Sequence, residues 1–293
     1  MKKTLVIFAG ILVGIFVVLT LINAKDEYAV EQIIWKTNQQ FSVAAKTPET
    51  VPDKVFKDIA AQYSAVIENF PNSKLLPRVY ILLGQVYVTQ KQYDVAREKF
   101  SEVLKKYPGN SILCAEALSE TGKTYETQNN WSGALENYQQ IIRDYPLTDI
   151  GLSASLYIAT WYRTHNEISR AQEAYRNAIA YYKSLATQHA NAEAGVKALR
   201  LLTNCYLDLR RWAEAVDVMG RILLEYPYSP AAPMTIKAIN NISITQLKDS
   251  GKAISIYSDF IAKNPEHPFN KTLKDMIIAF KKLEEKNVEV TTK

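Results

Sequence analysis

The chain has 293 residues, 47 % hydrophobic and 22 % charged, with only 10 glycines and 11 prolines, which excludes a collagen-like, low-complexity or disordered chain and leaves room for one large domain or two modest ones. Thirty-five Lys and Arg against 30 Asp and Glu leave a net charge of +5, two of it from Lys2 and Lys3, a balance that argues against a nucleic-acid partner. Cys114 and Cys205 show no CxxC or Cys/His spacing, so they read as buried small residues rather than as a disulfide or metal framework.

In chain order, the first element is the uncharged run from Thr4 to Ala24. As a helix it spans about 31 Å, one hydrocarbon core. It is longer than the apolar region of a signal peptide, and Ile22 stands three positions before a cut after Ala24, where a small residue is required. With Lys2 and Lys3 ahead of it, the run predicts an uncleaved single-pass anchor (residues 1–24) in a bacterial inner membrane, its short tail in the cytoplasm and the body in the periplasm. No Cys ends the run, so lipid attachment there is excluded. Gly10 and Gly14 form a GxxxG that leaves the oligomeric state open.

Residues 25–53 read as a connecting helix, Glu27 to Lys46, and a loop, Thr47 to Asp53. From Lys54 onward the sequence consists of amphipathic stretches of helical period separated by short Pro, Asn, Asp and Ser corners, with no alternating strand pattern. The corner prolines are Pro71, Pro108, Pro146, Pro227 and Pro265, spaced 37, 38, 81 and 38 residues apart. The long interval divides into 37 and 44 if one repeat lacks its proline, so the chain is a repeat array with a period near 37. Each proline ends a helix, and the Ser, Thr or Asn after it is placed to cap the next.

The signature residues inside each period resemble those of the tetratricopeptide repeat, a helix-turn-helix unit. From Pro77 they are Tyr80, Leu83, Gly84, Tyr87, Ala96, Phe100, Val103 and Pro108; from Ala115 they are Leu118, Gly122, Tyr125, Ala134, Tyr138, Ile141 and Pro146. From Leu152 the set is Ile158, Ala159, Tyr162, Ala171, Tyr175 and Ala178, with Lys183 in place of the proline and a second helix running to about Gln188. From Val196 it is Leu199, Leu202, Tyr206, Ala215, Met219, Ile222 and Pro227, and from Met234 it is Ile244, Ala253, Tyr257, Phe260 and Pro265, with Asn241 at a position that favours a small residue. Ile59, Tyr63, Val66 and Pro71 look like the second half of a degenerate first repeat. The resemblance implies an all-α fold, an α-solenoid of antiparallel helix pairs over residues 54–266 (about five and a half repeats) behind one transmembrane helix. It is closed by a capping helix and charged tail at 267–293, with Leu273, Met276, Ile277, Phe280 and Leu283 on the packing face. The spacing and corners are similar to the bacterial periplasmic branch that includes the lipoprotein of outer-membrane-protein assembly and the Tol-Pal coordinator.

The sequence contains no HExxH, GxGxxG, GxxxxGK[ST] or GxSxG, and His165, His189 and His267 stand alone, which reads as surface histidines and predicts neither enzyme activity, cofactor nor metal. Binding remains. The resemblance places positions 2, 5, 9, 12 and 13 of each first helix in a concave groove. The groove set comprises Arg78, Ile81, Gln85, Val88 and Thr89; Glu116, Ser119, Lys123, Glu126 and Thr127; Ser153, Leu156, Thr160, Arg163 and Thr164; and Lys197, Arg200, Asn204, Leu207 and Asp208. Within it, Arg78, Gln85, Lys123, Arg163, Lys197, Arg200 and Asn204 are the expected contacts to an extended peptide or helix of a partner protein. Arg200 and Asn204 resemble half of a carboxylate clamp whose other half is missing, because Ile239 stands at the matching place. The function expected is a membrane-anchored scaffold of the cell envelope. The alternatives are an outer-membrane-assembly or cell-division factor, and an accessory subunit of an envelope enzyme or secretion complex.

Overall fold

The computed structural model describes residues 27–291, so the expected anchor at 4–24 lies outside the described residues. Among the described residues there are thirteen α-helices and no strand, and no helix is long and apolar enough to cross a membrane. The helices are α1 (27–44), α2 (Asp53–Asn69), α3 (Leu76–Thr89), α4 (Tyr93–Lys106), α5 (Ser111–Thr127), α6 (Trp131–Asp144) and α7 (Asp149–Thr164). They continue with α8 (Ile168–Gln188), α9 (Glu193–Asp208), α10 (Trp212–Glu225), α11 (Ala232–Ile242), α12 (Gly251–Lys263) and α13 (Asn270–Thr291). A 3-10 turn at Pro48–Thr50 fills the loop after α1, and a π-helical turn at Ser243–Leu247 follows α11.

The period visible in the prolines has a backbone counterpart. Lys91, Asn129, Asn166, Arg210 and Lys248 all adopt positive φ, between 53° and 60°, at intervals of 38, 37, 44 and 38 residues. Each ends the first helix of a pair. At the first four the chain closes the same way: Gln92 N–H donates to Tyr87 C=O, Asn130 to Tyr125, Glu167 to Tyr162 and Arg211 to Tyr206, all within 2.8–2.9 Å. These are six-to-one Schellman closures made without glycine. At the α5–α6 corner Asn130 also caps α6 through Gly133 N; at the opposite corners Asn110 caps α5 through Leu113 N, and Thr148 Oγ1 accepts from Gly151 N at 3.0 Å.

The described residues form two compact units that divide between Gly151 and Leu152. In the first, α1 pairs with α2, Thr37 Oγ1 donating to Gln62 Oε1 at 3.0 Å and Tyr63 to Asn38, and the stack continues through α3, α4, α5 and α6. The α3–α4 and α5–α6 pairs each close over a glycine. A Cβ on Gly84 would enter the ring of Phe100, and one on Gly122 would lie 2.8 Å from Tyr138, so the small first-helix position is what lets the second-helix aromatic lie flat across it. Ile81, expected in the groove, is fully buried in this core.

In the second unit α8 packs on α9, α9 on α10, α10 on both α11 and α12, and α12 on α13. The repeat without a proline is explained by α8, whose additional turn carries Tyr182 and Leu185 into the core. The Tyr182 hydroxyl donates to Leu152 C=O at 2.7 Å and accepts from Leu156 N–H at 3.0 Å, inserting into the ladder of α7.

The last repeat corrects the sequence register. In the four pairs before it, the small positions of first and second helix lie 12 residues apart, as at Gly84 and Ala96. Here Ala253, Tyr257 and Phe260 are buried as expected, but the first helix buries Ala232, Ile236, Ile239 and Ser243 while Asn241 and Ile244 face outward. The first helix thus lies out of the expected register, which the π-helical turn restores before the left-handed Lys248 at its regular 38-residue interval. Leu283 is also corrected: it is 39 % exposed, and α13 packs through Leu273 and Phe280 with Met276 and Ile277 beside them. His267 is a further correction, since it is buried among Tyr228, Phe260 and Phe269, and its Nδ1 accepts from Phe269 N–H.

Candidate protein-binding face

In the first unit α3 and α5, both first helices, pack directly on each other. Their outward positions carry Arg78 and Glu116, and Arg78 Nη1 lies 2.6 Å from both carboxylate oxygens. The expected contact Arg78 therefore holds two repeats together. Lys123 is exposed and pairs with Glu120 one turn earlier at 2.8 Å, while Gln85 is half-buried on α3. Glu126, at the twelfth position of its repeat, accepts from the Tyr138 hydroxyl at 2.5 Å.

The same joint recurs in the second unit with opposite charge. Arg163, again at the twelfth position, donates from Nε to the Tyr175 hydroxyl at 3.0 Å, and that hydroxyl donates to Asp208 Oδ2 at 2.8 Å. Thr160 lies at the edge of this group, 3.5 Å from the Tyr175 hydroxyl, and Arg163 Nη2 stands 3.9 Å from Asp208 Oδ1. The Tyr175 hydroxyl, and then the Asp208 charge, hold the guanidinium more firmly protonated, while burial pushes the Tyr175 phenol up. The group ties α7, α8 and α9 together and leaves Arg163 half exposed.

Along α9, Lys197 pairs with Glu193 at 2.8 Å, whereas Arg200 and Asn204 are exposed one turn apart with no ion pair to Arg200 among the described residues. Of the seven residues expected to contact a partner, Arg78, Lys123 and Lys197 are in ion pairs, Gln85 is half-buried, Arg163 is clasped from one side, and Arg200 with Asn204 stands open. Ile239, the place of the missing clamp half, is fully buried. The sequence reading missed the Tyr175–Asp208 bond, although a second-helix tyrosine opposite a polar twelfth position was its available signal. It also missed Met234, Lys237 and Asn241, which the displaced register of α11 turns outward together with Ile244.

Within each unit the first helices thus offer exposed charge and amide groups, while their small and aromatic positions are committed to packing. Among the described residues no group of three or more His, Cys, Asp or Glu side chains is placed to hold a metal.

Three family models, each described as a tetratricopeptide repeat, match residues 77–110, 116–148 and 158–230. No curated protein sequence matches significantly. Among solved structures, BtubC (BKLC) from P. vanneervenii is similar at 18 % identity, covering 73 % of this chain and 82 % of that one, with a TM-score of 0.40. A thermophilic TPR protein of Thermus thermophilus, TTC0263, is similar at 18 % identity over 69 % of this chain and 97 % of that one, with a TM-score of 0.38. The TPR2AB domain of yeast Sti1, in complex with pHSP90, gives 11 % identity over 85 % and 98 %, with a TM-score of 0.31. Signature residues, repeating corners and family models agree, and the chain carries tetratricopeptide repeats.

Proposed function

We propose that this protein is a membrane-anchored adaptor of the bacterial cell envelope that holds a segment of a partner protein against its first-helix layer. Tetratricopeptide repeats imply a scaffold for protein–protein interaction, and the observation that carries the binding face is Arg200 with Asn204, exposed on α9 and outside the ion pairs that occupy Arg78, Lys123 and Lys197. The anchor rests on the uncharged run 4–24 behind Lys2 and Lys3. An outer-membrane-assembly or cell-division role, or service to an envelope enzyme or secretion complex, is the same binding chemistry at another address.

Two experiments test the reading. Partner recovery after in-cell crosslinking is compared between the wild type and Arg200→Glu/Asn204→Ala, with helicity measured on both; equal recovery removes the face from consideration. The full chain is expected in the membrane pellet after alkaline carbonate extraction, with its body digested only when protease reaches the periplasm. A soluble chain beginning at Lys25 would sink the anchor.

A further inference from the structure

The end of the second unit breaks a burial rule in two places at once. Ser243 is fully buried, and its hydroxyl has no hydrogen-bond partner among the described residues. Its neighbour Ile244 is 46 % exposed. Burial alone selects the reverse, since a buried hydroxyl without a partner is costly and a half-exposed isoleucine forgoes much of its transfer energy. The register that the sequence leads one to expect would have buried Ile244. The π-helical turn at Ser243–Leu247 and the left-handed Lys248 produce the other arrangement. Irregular turns that hold side chains against their local preference concentrate at functional sites.

The outcome is a mixed strip. Met234, Lys237 and Asn241 follow one another at steps of three and four along α11, and Ile244 extends them into the π-helical turn, so the four lie on the exposed face of that helix. Met234 is 69 % exposed, and Lys237 makes no ion pair among the described residues. Both α9 and α11 pack on α10, and Arg200 and Asn204 stand exposed on α9. Two uncompensated cations therefore accompany two large exposed apolar side chains.

Resting on the reading of the first-helix layer as the binding face, we propose that the outward strip of α11, Met234–Lys237–Asn241–Ile244, with Arg200 and Asn204 of α9, sets partner specificity, and that its occupant is an acidic, aliphatic segment of a partner protein. The apolar pair anchors Leu-, Ile- or Met-type side chains, Lys237 and Arg200 meet the carboxylates between them, and the two asparagines bond to backbone or side-chain amides. A basic segment is repelled by the same cations, which supplies discrimination as well as attraction.

The test is selection of a displayed library of random peptides, about 16 residues long so that one can span the two helices, on the full chain in detergent micelles. The result expected is enrichment of peptides that combine Asp or Glu with large aliphatic residues. Binding of a selected peptide falls by about tenfold or more in Met234→Ser/Ile244→Ser, as for central anchor residues. It falls by about threefold in Lys237→Ala and in Arg200→Ala, with a loss that shrinks as salt is raised. Circular dichroism on each variant verifies the fold. Enriched peptides that are basic, or that lack aliphatic residues, overturn the proposal. So does unchanged binding to Met234→Ser/Ile244→Ser when Arg200→Ala and Asn204→Ala still weaken it, although the first-helix layer then stands as the binding face. Peptides that survive all of these substitutions, or the absence of any enriched sequence, overturn both.

Discussion

The hydroxyl of Tyr175 on α8 donates to the carboxylate of Asp208 on α9 while accepting from Arg163 on α7, so one phenolic oxygen joins three helices. The relationship changes what a charge reversal in the groove would mean. An exposed charge is ordinarily worth little to stability, but Arg163 is the donor of this joint, and a carboxylate in its place would face Asp208.

Arg163→Glu is expected to lower the thermal midpoint, and Tyr175→Phe to cost about 1 kcal/mol through the lost hydroxyl. Arg200→Glu, one repeat on and outside any ion pair, is expected to leave the midpoint within about 0.5 kcal/mol of the wild type. Chemical denaturation of the three variants makes the comparison. Equal midpoints for Arg163→Glu and Arg200→Glu would show that the joint does not bear on stability.

The small positions offer a graded packing test. Gly84→Ala puts a methyl into the Phe100 ring and is expected to destabilise by about 1–3 kcal/mol. Gly109 has nothing within 4 Å of where its Cβ would be, so Gly109→Ala is expected to be neutral or slightly stabilising through the unfolded chain. Ala134→Glu, at a fully buried second-helix position, introduces an unpaired charge and is expected to lose several kcal/mol. If Gly84→Ala and Gly109→Ala melt alike, the close approach of α3 and α4 is wrong.

Alkali should unfold the protein through its tyrosines. Burial pushes Tyr63 up to about 12 and raises Tyr182 and Tyr257 above the ordinary value of 10.0. Below about pH 10 these phenols are protonated in both states. Above it the unfolded chain loses their protons first, so stability declines as pH rises from about 10 through the folded-state values. Ultraviolet titration of the 18 tyrosines is expected to show an exposed class ionising near the ordinary value and a buried class that ionises with loss of helicity. A single class titrating at the ordinary value with helicity intact would contradict the burial of these rings.

The repeat period and the identity of many core positions are legible in the sequence, because they rest on local chemistry. A proline ends a helix wherever it stands, and residues at steps of three and four share a face in any helix. That is why Gly84, Ala96, Phe100, Gly122, Ala134 and Tyr138 are placed correctly by the repeat signature they resemble, and why the long second helix ending at Gln188 goes with the missing proline. The left-handed corners at Lys91 and Arg210 carry no glycine to mark them. Tertiary structure alone decided which groove cations remain open, since Arg78 is taken by Glu116, 38 residues away, and Arg163 by Tyr175. It alone decided the last repeat, where a continuous count from Met234 buries Ile244 on paper. The packed helix instead shifts its register, buries Ile239 and Ser243, and turns Met234 and Ile244 outward. Spacing fixes which residues of a helix share a face; which face is buried depends on the neighbouring helix, and on a turn that no local preference requires.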